Sequence, residues 1–152
     1  MLNNDYRDIL SAFADAKVEY LVVGAYALAV YGHPRATGDI DLWIHSSQRN
    51  AERVLRALDA FGAPLFQIDR EDLETPGTVF QIGISPRRID LLTSIEGVSF
   101  EHAWEDRMRV EIGGTSLFVL SRAHFIQNKR ALGRPQDIAD IERLTKDNDE
   151  KE

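Results

Sequence analysis

Asp39 and Asp41 stand one residue apart in "TGDIDLWI", and the residues that alternate with them, Ile40, Leu42 and Ile44, are apolar. In an extended strand such alternation puts the two acids on one face and the apolar side chains on the other, toward a core. Their Cα atoms would lie about 7 Å apart, where two like charges repel by about 2 kcal/mol at an effective dielectric of 20. A divalent cation between them reverses the sign. Asp90 repeats the pattern in "RIDLL", between Ile89 and Leu91, so a neighbouring strand could bring a third acid to the same patch. The chain has no cysteine and no histidine pair at ligand spacing. Hard oxygen donors of this kind select Mg²⁺ or Mn²⁺ over zinc, and a metal pair held by carboxylates is a usual device for in-line attack at phosphorus. A solvated strand face is the competing account of the same acids.

A second feature precedes the acids. Gly24 ends the apolar run "VEYLVV" and begins a short Ala- and Leu-rich helical segment, 25–31. A glycine there serves turn chemistry, or it leaves backbone N–H groups free to meet an anion. The stretch is neither a P-loop nor a dinucleotide fingerprint, since no G-K-[ST] or G-x-G-x-x-G is present.

Around these residues the periodicities predict an α+β chain. An amphipathic helix in "YRDILSAFADA" (Tyr6, Ile9, Leu10, Phe13) leads into the first strand, and a helix capped by Ser47 and stopped by Gly62 follows the acids. Asp69 to Gly77 reads as a polar loop. "TVFQIGI" and "RIDLLTSI" then form a hairpin around Ser85-Pro86-Arg87, and "RVEIGGTSLFVLS" a second one turning at Gly113-Gly114. Two helices close the chain, one capped by Ser121 and one started by Pro135 after Gly133. The result is a single domain over 1–152 with a core of about 5–145, a mixed β-sheet covered by helices, and a frayed tail over 146–152. Phe13, Phe61, Phe66, Phe80 and Phe118 are expected in the core. Trp43 shares the acids' face, where it borders a substrate or packs under a loop.

Composition narrows the functions. The net charge of −7 opposes an extended grip on DNA or RNA, which needs clustered Lys and Arg, but leaves room for a local basic pocket. No apolar run approaches the roughly 20 residues of a membrane helix, and "MLNNDYRDIL" does not read as a secretory signal. A cytoplasmic location is expected.

Gly24-Ala25, the short helix and "TGDIDLWI" together resemble the nucleotidyltransferase superfamily typified by DNA polymerase beta, in which a G-[GS] turn is followed by D-x-[DE] and a later Asp. Within it the chain is most similar to small bacterial AbiEii-like and MNT-like proteins: "VVGAYALAVYGHPRATGDIDLWI", "RIDLL" and "NKRALGRPQDIADIERL" occur in that order, from Glu19 to Leu144. The resemblance implies a polymerase-beta-like fold and Mg²⁺-dependent transfer of a nucleoside monophosphate from an NTP to a hydroxyl of a protein, tRNA or small molecule. Asp39 and Asp41 would hold both metals. Asp90 would hold the catalytic one and help deprotonate the acceptor. Gly24 and Ala25 would cradle the triphosphate, Ala25 standing where many members have Gly or Ser. Arg35 and Thr37 share the parity of Asp39 and could reach the outer phosphates. Lys129 and Arg134, near the break between the last helices, either reach a phosphate or complement a helix C-terminus. Asp137 and Asp140 pair locally, or Asp137 anchors one of those cations.

Three functions compete. The first is an active transferase, in a toxin–antitoxin or defence setting with a partner protein. The second is a non-catalytic nucleotide-binding or antitoxin-like module that docks a partner. The third, a metal-dependent nuclease, fits the charge and the glycine turn least well.

Overall fold

The computed structural model of the protein describes residues 2–33 and 38–151, with side chains described to residue 146. Its first helix, α1 (Asn4–Asp15), begins where the Asn3 side chain accepts the Tyr6 N–H, and buries the stripe Tyr6, Ile9, Leu10 and Phe13. Strand β1 (Tyr20–Val23) is buried at every position and passes directly into α2 (Gly24–Val30). Strand β2 (Ile40–Ile44) follows, then α3 (Gln48–Phe61), capped by Ser47 and ended by Gly62 in the left-handed region, where glycine has no Cβ penalty.

Helix α4 (Arg70–Glu74) lies before β3 (Val79–Ile82) and β4 (Ile89–Leu92), and α5 (Phe100–Glu105) before β5 (Met108–Ile112) and β6 (Thr115–Val119). Helices α6 (Arg122–Leu132) and α7 (Pro135–Lys151) complete the chain.

The six strands form one mixed sheet in the order β3-β4-β2-β1-β6-β5. The outer hairpins β3/β4 and β5/β6 are antiparallel, as is β1/β2, whereas β2/β4 and β1/β6 are parallel. The sequence-based expectation of an α+β fold with a mixed sheet and C-terminal helices therefore holds. Ile40, Leu42 and Ile44 of β2 are fully buried in one core with Leu10, Phe13, Val54 and Leu58. Each such side chain contributes about 1.5–3 kcal/mol by leaving water. β2 is thereby locked in register, because a one-residue slip would bring Asp41 into this core.

Several expectations need correction. Asp39 precedes β2 rather than belonging to it. The stretch 69–77 is not all loop: Asp69 and Asp72 form a reciprocal capping box that starts α4. Phe66, expected inside, is 86% exposed, because it sits on a single 3-10 turn (Leu65–Gln67) too short to bury a face.

Candidate functional site

Register creates the site. Asp41 stands directly opposite Asp90 on the parallel pair β2/β4 and opposite Val23 on β1. The residue after Val23 is Gly24, with φ of +68°, and a Cβ there would overlap the Asp41 carboxylate. Only glycine allows the backbone of the strand-to-helix turn to touch this acid.

Asp39 reaches the cluster from just outside the strand. Its Oδ2 accepts the Ser85 hydroxyl (2.7 Å) and its Oδ1 the Arg88 backbone N–H (3.0 Å), which tie it to the tip of the β3/β4 hairpin. The Ser85 hydroxyl foremost, then the Arg88 N–H and guanidinium, hold the Asp39 carboxyl below the usual range. Arg88, two residues before Asp90 and on the same face, donates Nε–H to Asp90 Oδ1 (2.8 Å) and Nη2–H to Asp90 Oδ2 (3.2 Å), with Nη2 also 3.5 Å from Asp39. One guanidinium thus bridges two acids.

Among the described residues no guanidinium forks onto Asp41 in this way. Burial first, then the charge of Asp90, a carboxyl–carboxyl hydrogen bond with it, and the charge of Asp39 push the Asp41 carboxyl up to about 6. Tyr6, fully buried on α1, braces the frame from below: its hydroxyl donates to the Gly38 carbonyl and lies 3.2 Å from that of Arg88. Burial pushes the Tyr6 hydroxyl up to about 12, so it stays a donor.

Beside the acids opens a cleft of about 510 Å³. Gly24, Ala25 and Asp41 form one wall, and Asn128, Lys129 and Arg134 of the α6–α7 region another. The Lys129 Nζ lies 3.3 Å from Asp137 and 3.8 Å from Asp140, both fully buried. Arg134 forks onto Asp137 (2.7 and 3.2 Å) yet remains more than half exposed. The Arg134 hydrogen bonds foremost, with Lys129 adding, hold the Asp137 carboxyl down to about 2. Asp137 therefore anchors both cations, and Asp140 is an interior group rather than a surface helix charge. A larger groove of about 730 Å³ lies between α1 and α3, lined by Lys17, Arg53 and Arg56 among others, and contains none of these acids.

The chain matches a family model described as "nucleotidyltransferase of unknown function" (DUF6036) over residues 2–146. It belongs to the DUF6036 nucleotidyltransferase family. Among solved structures it is similar to a candidate nucleotidyltransferase from Thermotoga maritima, with a TM-score of 0.63 and 18% identity over 97% of this chain and 96% of that one. It is also similar to an antigenic nucleotidyltransferase-like protein from Paracoccidioides brasiliensis, with a TM-score of 0.51 and 16% identity over 94% of this chain and 77% of that one. At these identities the likeness is one of fold. A search of curated proteins gives no significant match.

In this DUF6036 chain Asp39, Asp41, Asp90, Gly24 and Ala25 come together, and Lys129 lies across the cleft from them. Arg35 and Thr37 fall outside the described residues. Trp43 is buried edge-on against Phe100 of α5 and is not among the residues that line the cleft beside the acids. Arg88 and Tyr6 are the members that sequence reasoning missed. The parity of Arg88 with Asp90 was the available signal for the first. Nothing local marked the second. Among the described residues no three acids or histidines already form a cation cage, since Asp39 turns to Ser85 and Arg88 fills the space between Asp39 and Asp90. The donor set nevertheless suits a hard cation: all three groups are carboxylates, and a positive guanidinium already stands among them.

Proposed function

We propose that the protein transfers a nucleoside monophosphate from an NTP to a hydroxyl acceptor (a protein, tRNA or small molecule), with Mg²⁺, or Mn²⁺ in its place, as cofactor. The observation that carries this reading is the in-register pair Asp41 and Asp90, with Asp39 beside it, at the edge of a cleft whose far wall holds Lys129 and Arg134. Asp39, Asp41 and Asp90 would hold the cation, which when bound would offset the charge of the acids and of the triphosphate and acidify the acceptor hydroxyl. Gly24 and Ala25 present backbone rather than side chain to the nucleotide, so the phosphates approach Asp41 closely. Arg134, forked onto Asp137 and still exposed, directs its remaining N–H groups at the phosphates. Lys129 supports that wall from within, adding positive charge to the cleft while its ammonium stays on Asp137 and Asp140. Asp90 lies on the hairpin side of the cluster, opposite the nucleotide wall, and takes the proton of the attacking hydroxyl.

The reading places the reaction in the cytoplasm, where NTPs are abundant, and the likeness to AbiEii-like and MNT-like proteins suggests a toxin–antitoxin setting with a partner protein. A non-catalytic nucleotide-binding or antitoxin-like module is the second reading. It is favoured by Arg88, which neutralises two of the three acids without any metal.

Calorimetric titration of ATP and GTP, with and without Mg²⁺, separates the two. Transferase function predicts that nucleotide and Mg²⁺ tighten each other by the same factor, on the order of tenfold or more, and that Asp90→Asn keeps most nucleotide binding while losing turnover. Equal affinity with and without Mg²⁺ would favour the docking module.

A further inference from the structure

The Arg88 guanidinium occupies the position that a cation would take. Its fork covers both oxygens of Asp90, a third contact reaches Asp39, and its Nη1 lies 3.4 Å from the Ser85 hydroxyl that also binds Asp39. The backbone is fixed at the same point, because Asp39 accepts the Arg88 N–H and the Arg88 carbonyl accepts from the Ile40 N–H (3.0 Å). The side chain, however, is about a third exposed and comes from a hairpin tip. It can swing into solvent without disturbing the core. A divalent cation seated on the Asp90 and Asp39 oxygens would stand beside this positive charge for as long as the guanidinium stays there, and the two would repel.

Resting on the divalent-cation reading above, we propose that Arg88 is a resident counter-cation of the carboxylate cluster, which keeps affinity for free metal low and leaves the cluster when metal and nucleotide arrive together. A triphosphate shifts the balance because its oxygens add ligands to the metal that the free cation lacks. The site is then closed to metal alone and opened by the metal–nucleotide complex. The opposite role, a permanent brace that orients the acids for metal, predicts the reverse effect of removing Arg88.

Mn²⁺ binding followed by electron paramagnetic resonance on the full chain decides between them, with wild type, Arg88→Gln and Arg88→Lys titrated without nucleotide and with α,β-methylene ATP or GTP. Without nucleotide, Arg88→Gln binds Mn²⁺ at least tenfold more tightly than wild type, with Arg88→Lys in between, and with the analogue the gap narrows to less than about threefold. Equal or weaker binding by a folded Arg88→Gln overturns the proposal. A readout that needs no such variant to fold is the Nε–H resonance of Arg88 in wild type, assigned by through-bond correlation along its own side chain to the Arg88 backbone. It loses protection from hydrogen exchange when Mg²⁺ and the analogue are both added, and a signal that stays protected at saturation also overturns the proposal. If wild type binds no Mn²⁺ even with the analogue, the metal reading itself fails, an outcome distinct from the failure of Arg88 alone.

Discussion

Asp41 carries a charge that the folded chain disfavours, since it is desolvated, faces Asp90 in register and, among the described residues, has no basic partner of its own. Its carboxyl titrates near 6 in the fold against 3.8 unfolded, so the native state holds the proton more tightly. Stability from this group is fully present below about pH 4 and is lost as pH rises through 6, by at most about 3 kcal/mol. Asp41→Asn removes that loss. Urea unfolding from pH 4 to 7.5 should show the variant gaining on wild type across this window, and parallel curves would show that Asp41 is not so burdened. Asp39→Asn and Asp41→Asn should each abolish transfer while leaving circular dichroism unchanged. Gly24→Ala should place a Cβ in the Asp41 carboxylate and strain a left-handed residue by about 1–2 kcal/mol, lowering both the melting temperature and nucleotide affinity. The three acids were legible from parity with apolar neighbours. Arg88 was not, because Arg87-Arg88 at a hairpin reads as solvated charge, and Tyr6 was read as core since nothing local reveals that its hydroxyl meets the 38–40 backbone.

At the scale of elements, the α6–α7 corner is held by a buried ionic group rather than by apolar contact alone. Asp137 is fully buried and serves two cations and the Arg134 N–H, so Asp137→Ala takes the nearer of two carboxylates from the buried Lys129, leaving it only Asp140 at 3.8 Å, and should cost about 3 kcal/mol or more. Arg134→Ala removes an exposed partner only. It should leave the denaturation midpoint nearly unchanged yet weaken nucleotide binding roughly tenfold, on the scale of one charged hydrogen bond. Chemical denaturation and calorimetry on the two variants separate the roles, and equal loss of stability in both would refute the division between anchor and ligand contact. The helix caps at Ser47, Ser121 and Gly62 and both hairpins could be read from sequence because each is written in local turn chemistry. Helices α4 and α5 were missed: five and six residues are too few for a 3.6-residue period, and their only marks were the Asp69/Asp72 box and the Ser99 cap.

The whole molecule adds what no segment specifies. Placing β4 beside β2, across two intervening helices and a strand, brings Asp90 level with Asp41. That the two "D" strands were neighbours could be expected, but their order and register depend on non-local pairing that a single sequence does not encode in any window. The same sheet sets the acids at one end of the strands, with the nucleotide wall on one side and the Gly83 to Arg88 tip on the other. In the proposed reaction these two sides would separate the nucleotide from the acceptor. The net charge of −7 opposes an extended grip on nucleic acid, so on the proposed reading any RNA acceptor would be gripped locally, and acceptor labelling should fall only modestly as salt is raised from 50 to 200 mM. The measurement that bears most directly on the account is transfer itself: α-labelled NTPs incubated with Mg²⁺, cell lysate and either wild type, Asp41→Asn or Asp90→Asn, with pyrophosphate counted against label incorporated. The account predicts one pyrophosphate per label transferred by wild type and none by either variant. Labelling that persists in both variants, or no labelling from any NTP by wild type, would contradict it.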